Sequence, residues 1–147
     1  MKYLSFLLIT CFAFIATEPQ KISWGMLADF DYEVRYNEEN ELYFRYPIFS
    51  EEVTALNDQE VYITGYMLPI DVEAEYYVLS AYPYANCFFC GAAGAESVIE
   101  LELKPGHRRF KTDERLTIRG TFQVNATDIY QLNYLMSEAE VYDVEEE

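Results

Sequence analysis

Two cysteines separated by two residues, Cys87 and Cys90, are the side chains in this sequence whose type and spacing best suit covalent chemistry. They stand in Asn86-Cys87-Phe88-Phe89-Cys90-Gly91-Ala92-Ala93-Gly94-Ala95-Glu96. Such small residues let the backbone approach a neighbour or a ligand closely. Three chemistries fit the spacing. In an oxidising compartment the thiols close a disulfide across one turn. The loop-entropy model allows about 2 kcal/mol for so short a ring, so the bond shapes a turn more than it holds a fold. At a helix start, the same spacing lowers one thiol's pKa and makes a thiol-disulfide oxidoreductase. Two thiolates also suit zinc or Cu(I), with a carboxylate such as Glu96 helping to complete a closed site of about four ligands. A lone Cys-x-x-Cys is a weak zinc signal, and the βαβ setting of thioredoxin-type chemistry is missing from the pattern. The local disulfide is therefore the expectation carried forward.

Other candidate chemistry is sparse. His107 is the single histidine; it lies in the turn Lys104-Pro105-Gly106-His107 beside Arg108 and Arg109 and is expected to face solvent. Neither Gly-x-Ser-x-Gly nor His-Glu-x-x-His occurs, and Gly91 and Gly94 lack the Lys-Ser/Thr of a phosphate-cradling loop. A non-catalytic binding module is expected ahead of an enzyme. Asn125-Ala126-Thr127 is a glycosylation sequon by pattern.

The elements that must position the cysteines read mainly as strands. Asp29–Tyr36 and Glu41–Phe49 look extended, with Asn37–Asn40 as a polar turn between them. Ser50 is suited to cap a short helix whose first turn carries Glu51 and Glu52. Glu60–Asp71 alternates Val61, Ile63 and Gly65 on one face with Tyr62, Thr64 and Tyr66 on the other. Gly65 inside that run predicts a bulge or tight bend. Glu75–Pro83, Glu96–Leu103, Arg115–Val124 and Leu135–Val144 complete the strands, with Asp128–Tyr134 an irregular or helical link. Trp24 is the only tryptophan and is expected to anchor packing. Val61–Tyr66 resembles Leu116–Thr121, each with a glycine behind an apolar core, which suggests two strongly curved strands. The fold class expected is mainly β: a small OB-like five-stranded barrel over residues 22–144, with one or two short helices. A β-sandwich is the alternative.

Composition sets the surroundings. At 147 residues there is room for one domain. Met1-Lys2-Tyr3, the apolar run Leu4–Ala16 and the polar exit from Thr17 have the order of a secretory signal peptide, residues 1–17. Leu8-Ile9-Thr10-Cys11 loosely resembles a lipobox, so a lipoprotein signal ending at Thr10 with lipidation at Cys11 is the rival. The expected location is the periplasm or cell envelope, with no integral membrane segment in the mature form. With 26 acidic against 10 basic residues, the formal net charge is −16. That balance disfavours nucleic acid and anionic membranes as partners, because both are held by neutralising phosphate with Lys and Arg. The acidic end at 145–147 reads as solvated tail.

Ile22-Ser23-Trp24, the strand end Gly65-Tyr66-Met67-Leu68-Pro69-Ile70-Asp71 and Cys87-Phe88-Phe89-Cys90-Gly91 followed by Glu96-Ser97-Val98 resemble a bacterial family of exported proteins catalogued as domain of unknown function 3299. The resemblance runs from Ile22 to Tyr142. Members of that family carry a cysteine followed by a histidine and a run of prolines in this loop. Here Cys87 matches the cysteine, Phe89 replaces the histidine and Gly-Ala replaces the prolines. The resemblance implies an accessory role beside an envelope transporter, with metal work as one version of it. It implies no established activity. A purely structural interaction module, in which the cysteines only shape a loop, is the bland alternative.

Overall fold

The structure is a computed structural model and describes residues 18–143. The leader, Cys11 and the acidic end at 145–147 lie outside the described residues. In chain order the elements are β1 (Gln20–Lys21), α1 (Trp24–Leu27), β2 (Phe30–Asn37), β3 (Leu42–Phe49), α2 (Glu51–Thr54), β4 (Gln59–Asp71), β5 (Tyr76–Ser80), β6 (Val98–Leu103), β7 (Glu114–Val124) and β8 (Tyr134–Val141). Three single turns of 3₁₀ helix, at Tyr84–Asn86, Phe88–Cys90 and Ala95–Ser97, fill the connection from β5 to β6. No helix among the described residues is long and apolar enough to cross a membrane.

Five strands close on themselves in the order β4-β5-β6-β8-β7-β4. The β6–β8 pairing is parallel and the other four are antiparallel. This is a closed Greek-key barrel of the OB type, as expected; a sandwich is excluded because β7 pairs back onto β4. β1 adds one short parallel strand beside β4.

Closure depends on how β4 bends. Its first part pairs with β7, from Gln59 opposite Phe122 to Met67 opposite Glu114. Its last part pairs with β5, from Tyr66 opposite Ser80 onward. Gly65 stands where the strand passes from one partner to the other. A Cβ there would lie 2.7 Å from the Ser80 carbonyl oxygen and 3.0 Å from the Trp24 ring. The glycine is thus used for close approach. The bulge expected at Gly65 sits a little later, between Pro69 and Asp71.

The alternation read from the strands supplies the interior. Val61, Ile63, Met67, Leu79, Ile99, Ile118 and Phe122 are almost wholly buried in one cluster. Each such side chain contributes about 1.5–3 kcal/mol of apolar burial. Tyr134 is buried among them, its ring 5.5 Å from Phe122 and 5.4 Å from Phe49. Its hydroxyl donates to the Leu27 carbonyl, tying α1 to the barrel. Trp24 anchors the same corner by donating Nε1–H to the Thr64 carbonyl at 2.9 Å. Ser23 and Ser50 cap α1 and α2 by accepting from Met26 N and Val53 N. Tyr134 opens β8, so the link before this strand ends one residue earlier than expected and is turn rather than helix.

Two of the seven expected strands stay out of the barrel. β2 and β3 form a separate antiparallel ribbon of eight consecutive pairs, from Phe30 opposite Phe49 to Asn37 opposite Leu42. Only its base reaches the core, through Phe30 and Phe49 against Tyr134.

Candidate functional site

Cys87 and Cys90 bracket the middle 3₁₀ turn, Phe88–Cys90, with Gly91 ending it in the left-handed region at φ 74°. The two cysteines stand 4.3 Å apart as free thiols. Their surroundings differ sharply. Cys87 is fully buried in a second apolar cluster with Leu68, Val78 and Val98, against which Tyr76, Phe88 and Leu132 also pack. These three aliphatic residues point outward from β4, β5 and β6. The cysteine loop folds back over the barrel wall and covers them, with Cys87 as its innermost side chain. Cys90 is exposed and donates its S–H to the Tyr84 carbonyl at 3.0 Å.

This arrangement opposes thiol-disulfide exchange by an activated thiolate. The cysteine at the N-terminal cap of the turn, where backbone N–H groups favour a thiolate, is the inaccessible one. The accessible thiol ends the turn. Desolvation, then the Cys87 sulfur, pushes Cys90 above the usual thiol range. A reactive thiol needs the reverse shift.

The geometry does not assemble the expected metal set. Among the described residues no group of three His, Cys, Asp or Glu side chains is placed to hold a metal ion. Glu96 folds back over Gly94, whose added Cβ would meet the Glu96 carboxylate, and its charge is felt by Tyr134 in the core. The reason is local: Ala95–Ser97 forms its own turn, which carries Glu96 away from the cysteine turn.

His107 departs from the expectation of a solvent-facing residue. Its ring stacks on Phe110 at 5.9 Å and meets Tyr77 edge-on at 5.2 Å. The histidine and Phe110 together pack over Tyr77, a residue of the barrel core, and apolar contact outweighs exposure for a flat aromatic ring. Asn125, the sequon asparagine, is committed to its own loop. Its Nδ2 donates to the carbonyls of Asp128 at 2.7 Å and Leu132 at 3.1 Å, and its Oδ1 accepts from Thr127 N and Asp128 N. One side-chain amide thereby folds the whole β7–β8 connection.

That connection forms one wall of a cleft of about 320 Å³. Opposite it stand Ala74 and Glu75 of the β4–β5 turn, and the floor is the outer face of β5, β6 and β8 with Tyr76, Glu100, Glu102, Leu135 and Ser137. Gln123 and Gln131 complete the rim. Glu75, Glu100 and Glu102 make no ion pair among the described residues. Burial first, and the Glu100 charge second, hold the Tyr76 phenol above its usual range, so it is a hydrogen-bond donor at neutral pH. The cleft and the cysteine loop share this tyrosine: Tyr76 lines the one and packs against the cluster around Cys87.

The sequence alone does not reveal this cleft. No local signal marks it, because its walls come from segments some fifty residues apart in sequence. The burial of Cys87 did leave a trace. Met67-Leu68, Tyr77-Val78-Leu79 and Val98-Ile99 are apolar on both strand faces, a pattern of strands covered on both sides.

The cleft lies across the β5–β6 face of this OB-like five-stranded barrel, beside the β4–β5 and β7–β8 connections. Among solved structures the chain is similar to the crystal structure of a DUF3299 family protein from Pseudomonas aeruginosa, with a TM-score of 0.52 and 19% identity over 88% of this chain and 100% of that chain. At that identity the likeness is one of fold. That neighbour belongs to the family that the Gly65–Asp71 strand end and the cysteine loop resemble. No family model matches the chain, and no curated protein matches it.

Proposed function

We propose that the chain is an exported, non-catalytic binding module, accessory to an envelope transporter, that takes a small amine-bearing ligand in the cleft between the β4–β5 and β7–β8 loops. The observation that carries this is the cleft itself. It lies on the barrel face and between the loops that OB-type barrels use for ligands. Its volume of about 320 Å³ falls at the lower end for small-molecule sites. Three carboxylates without a cationic partner, beside a protonated phenol and two glutamine amides, favour a ligand bearing positive nitrogen over an anion. Spermidine and citrate are suitable opposed probes in a two-dimensional NMR titration. Spermidine should give saturable shifts at Glu75, Tyr76, Glu100, Glu102 and Gln131, and citrate none. Glu100→Gln/Glu102→Gln should weaken the response by about tenfold without lowering Tm, in line with about 1.5 kcal/mol lost from charge-assisted hydrogen bonds. Shifts scattered over the acidic surface, or saturable citrate binding in the cleft, would rule the reading out.

In this reading the cysteine loop is structural support for the cleft floor, and Cys87 and Cys90 close a disulfide across their turn in the oxidising envelope. Their placement on one turn, 4.3 Å apart, supports that pairing. The intact mass of protein purified from the envelope, with and without reductant, tests it together with export. The expected species lacks the leader and gains two hydrogens on reduction; an added diacylglyceryl mass would mark lipidation at Cys11 instead. Under reducing conditions Cys87→Ser should still cost about 1–2 kcal/mol, because a hydroxyl replaces a buried sulfur. Cys90→Ser should cost little there. Equal stability of both reduced variants would remove the packing role of Cys87.

A further inference from the structure

The β2–β3 ribbon carries more ordered apolar surface than the barrel uses. Tyr32, Val34, Tyr36 and Tyr43 lie on one face of it, by the pairing of Tyr32 with Pro47, Val34 with Arg45 and Tyr36 with Tyr43. Val34 is 62% exposed, Tyr36 51% and Tyr43 72%. The opposite face leans on the β7–β8 loop, with Tyr46 buried and Arg35 donating to the Ala126 carbonyl, while Asn40 in the turn donates to the Tyr130 hydroxyl. A lone two-stranded ribbon is marginal in water, so these contacts hold the ribbon out in an ordered form with its tyrosine face uncovered. Clustered exposed aromatics on a rigid ribbon mark a docking surface.

We propose that this face docks a basic, arginine- or lysine-bearing segment of another protein. Charge selects that occupant. The ribbon and its turn hold Asp31, Glu33, Glu38, Glu39 and Glu41 against Arg35 and Arg45. Both arginines are already taken up on rings, Arg35 over Tyr46 and Arg45 over Tyr32, each 4.2 Å from the ring centroid. Glu38, Glu39 and Glu41 make no ion pair among the described residues. The edge-to-face pair of Tyr36 and Tyr43, 5.2 Å between centroids, therefore offers π-faces beside unpaired carboxylates. That combination attracts a cationic side chain twice, by the ring and by the acid. A second copy of this chain is disfavoured, because each carries a formal charge of −16. The inference stands apart from the cleft and does not need it.

An alternating arginine–glycine peptide, titrated into the full mature chain by NMR, tests it. Saturable shifts are expected at Tyr32, Val34, Tyr36, Tyr43 and Glu38–Glu41. Tyr36→Ser/Tyr43→Ser keeps the net charge, so a general attraction to acidic surface would survive it; docking on the tyrosines should fall about tenfold, as two exposed cation–π contacts imply. Glu39→Gln/Glu41→Gln should weaken binding and flatten its salt dependence. Unchanged Tm is expected for both variants, since all four residues are exposed. Three results would overturn the proposal: peptide shifts confined to the cleft or indifferent to the tyrosine variant, a concentration-dependent dimer that protects these tyrosines, or binding of the ribbon to zwitterionic phosphatidylcholine vesicles.

Discussion

Tyr134→Ala should unfold this protein more readily than any other single truncation, lowering stability by about 4 kcal/mol or more. The side chain is fully buried, and removing a buried aromatic ring costs about 3–5 kcal/mol in lost transfer energy and residual cavity. Its ring touches Phe122 of the barrel, and Phe30 and Phe49 at the base of the ribbon. Its hydroxyl also serves the Leu27 carbonyl of α1. One residue thus joins barrel, ribbon and helix. Tyr134→Phe isolates the polar part: it keeps the packing and strands the carbonyl, for a loss of about 1–2 kcal/mol. Denaturant unfolding of the three proteins checks both values, and a loss below about 2 kcal/mol for the alanine variant would mean the core closes over the gap. The pH dependence follows from the same burial. Desolvation, then the charges of Glu96, Tyr32 and Asp29, hold the phenol of Tyr134 far above its ordinary range in the folded chain. An unfolded tyrosine ionises near about pH 10. The contribution is therefore complete below that pH and declines as pH rises above it, toward the folded value. Tyr134→Phe should flatten that alkaline fall in stability.

Gly120→Ala is expected to cost about 2–3 kcal/mol, while the same change at Gly25 stabilises by about 0.5–1 kcal/mol. Both substitutions reduce the entropy of the unfolded chain equally, which favours folding by less than about 1 kcal/mol. They differ in what the new methyl meets. At Gly25, in α1, the nearest atom is 4.0 Å away, and alanine is the better helix former. At Gly120 it would lie 2.6 Å from the Ser137 carbonyl oxygen, 2.8 Å from Met136 Cγ and 3.2 Å from Ala139 Cα. Two of these are backbone atoms of β8, which cannot rotate aside as a flexible side chain can. Thr121 pairs with Ser137 and Arg119 with Glu140, so Glu138 and Ala139 bulge opposite Gly120. Glu138 takes φ 51° to make that bulge. The methyl would force β8 outward at the point where it bends the barrel shut, and overpacking of this kind costs about 1–3 kcal/mol. Paired thermal melts decide the matter: equal Tm changes at Gly25 and Gly120 would show that β8 yields freely.

What could be seen in advance was whatever a short stretch of chain carries in itself. The Ser50 cap, the alternation in Val61–Met67 and Ile118–Val124, and the curvature at Gly65 and Gly120 are consequences of side-chain size, period and backbone freedom within a few residues. Together they led to the five-stranded barrel. The cysteine spacing was equally visible, but its meaning was not. Whether Cys87 is a reactive thiol or a packing group depends on Leu68, Val78 and Val98, which only strand pairing assembles beneath it. The packing of His107 is hidden for a similar reason, since Tyr77 reaches it from β5, while Phe110 lies three residues along the same connection. The exclusion of β2 and β3 from the barrel is also non-local: β7 takes the edge of β4 that would otherwise be open. Periodicity and composition are local, and they were enough to specify an acidic β-barrel with one Cys-x-x-Cys loop. The sealing of Cys87, the lack of a three-ligand metal cluster among the described residues and the cleft shared by Glu75, Glu100 and Glu102 arise from chain packing. Burial and charge proximity are properties of surfaces that distant segments meet to form.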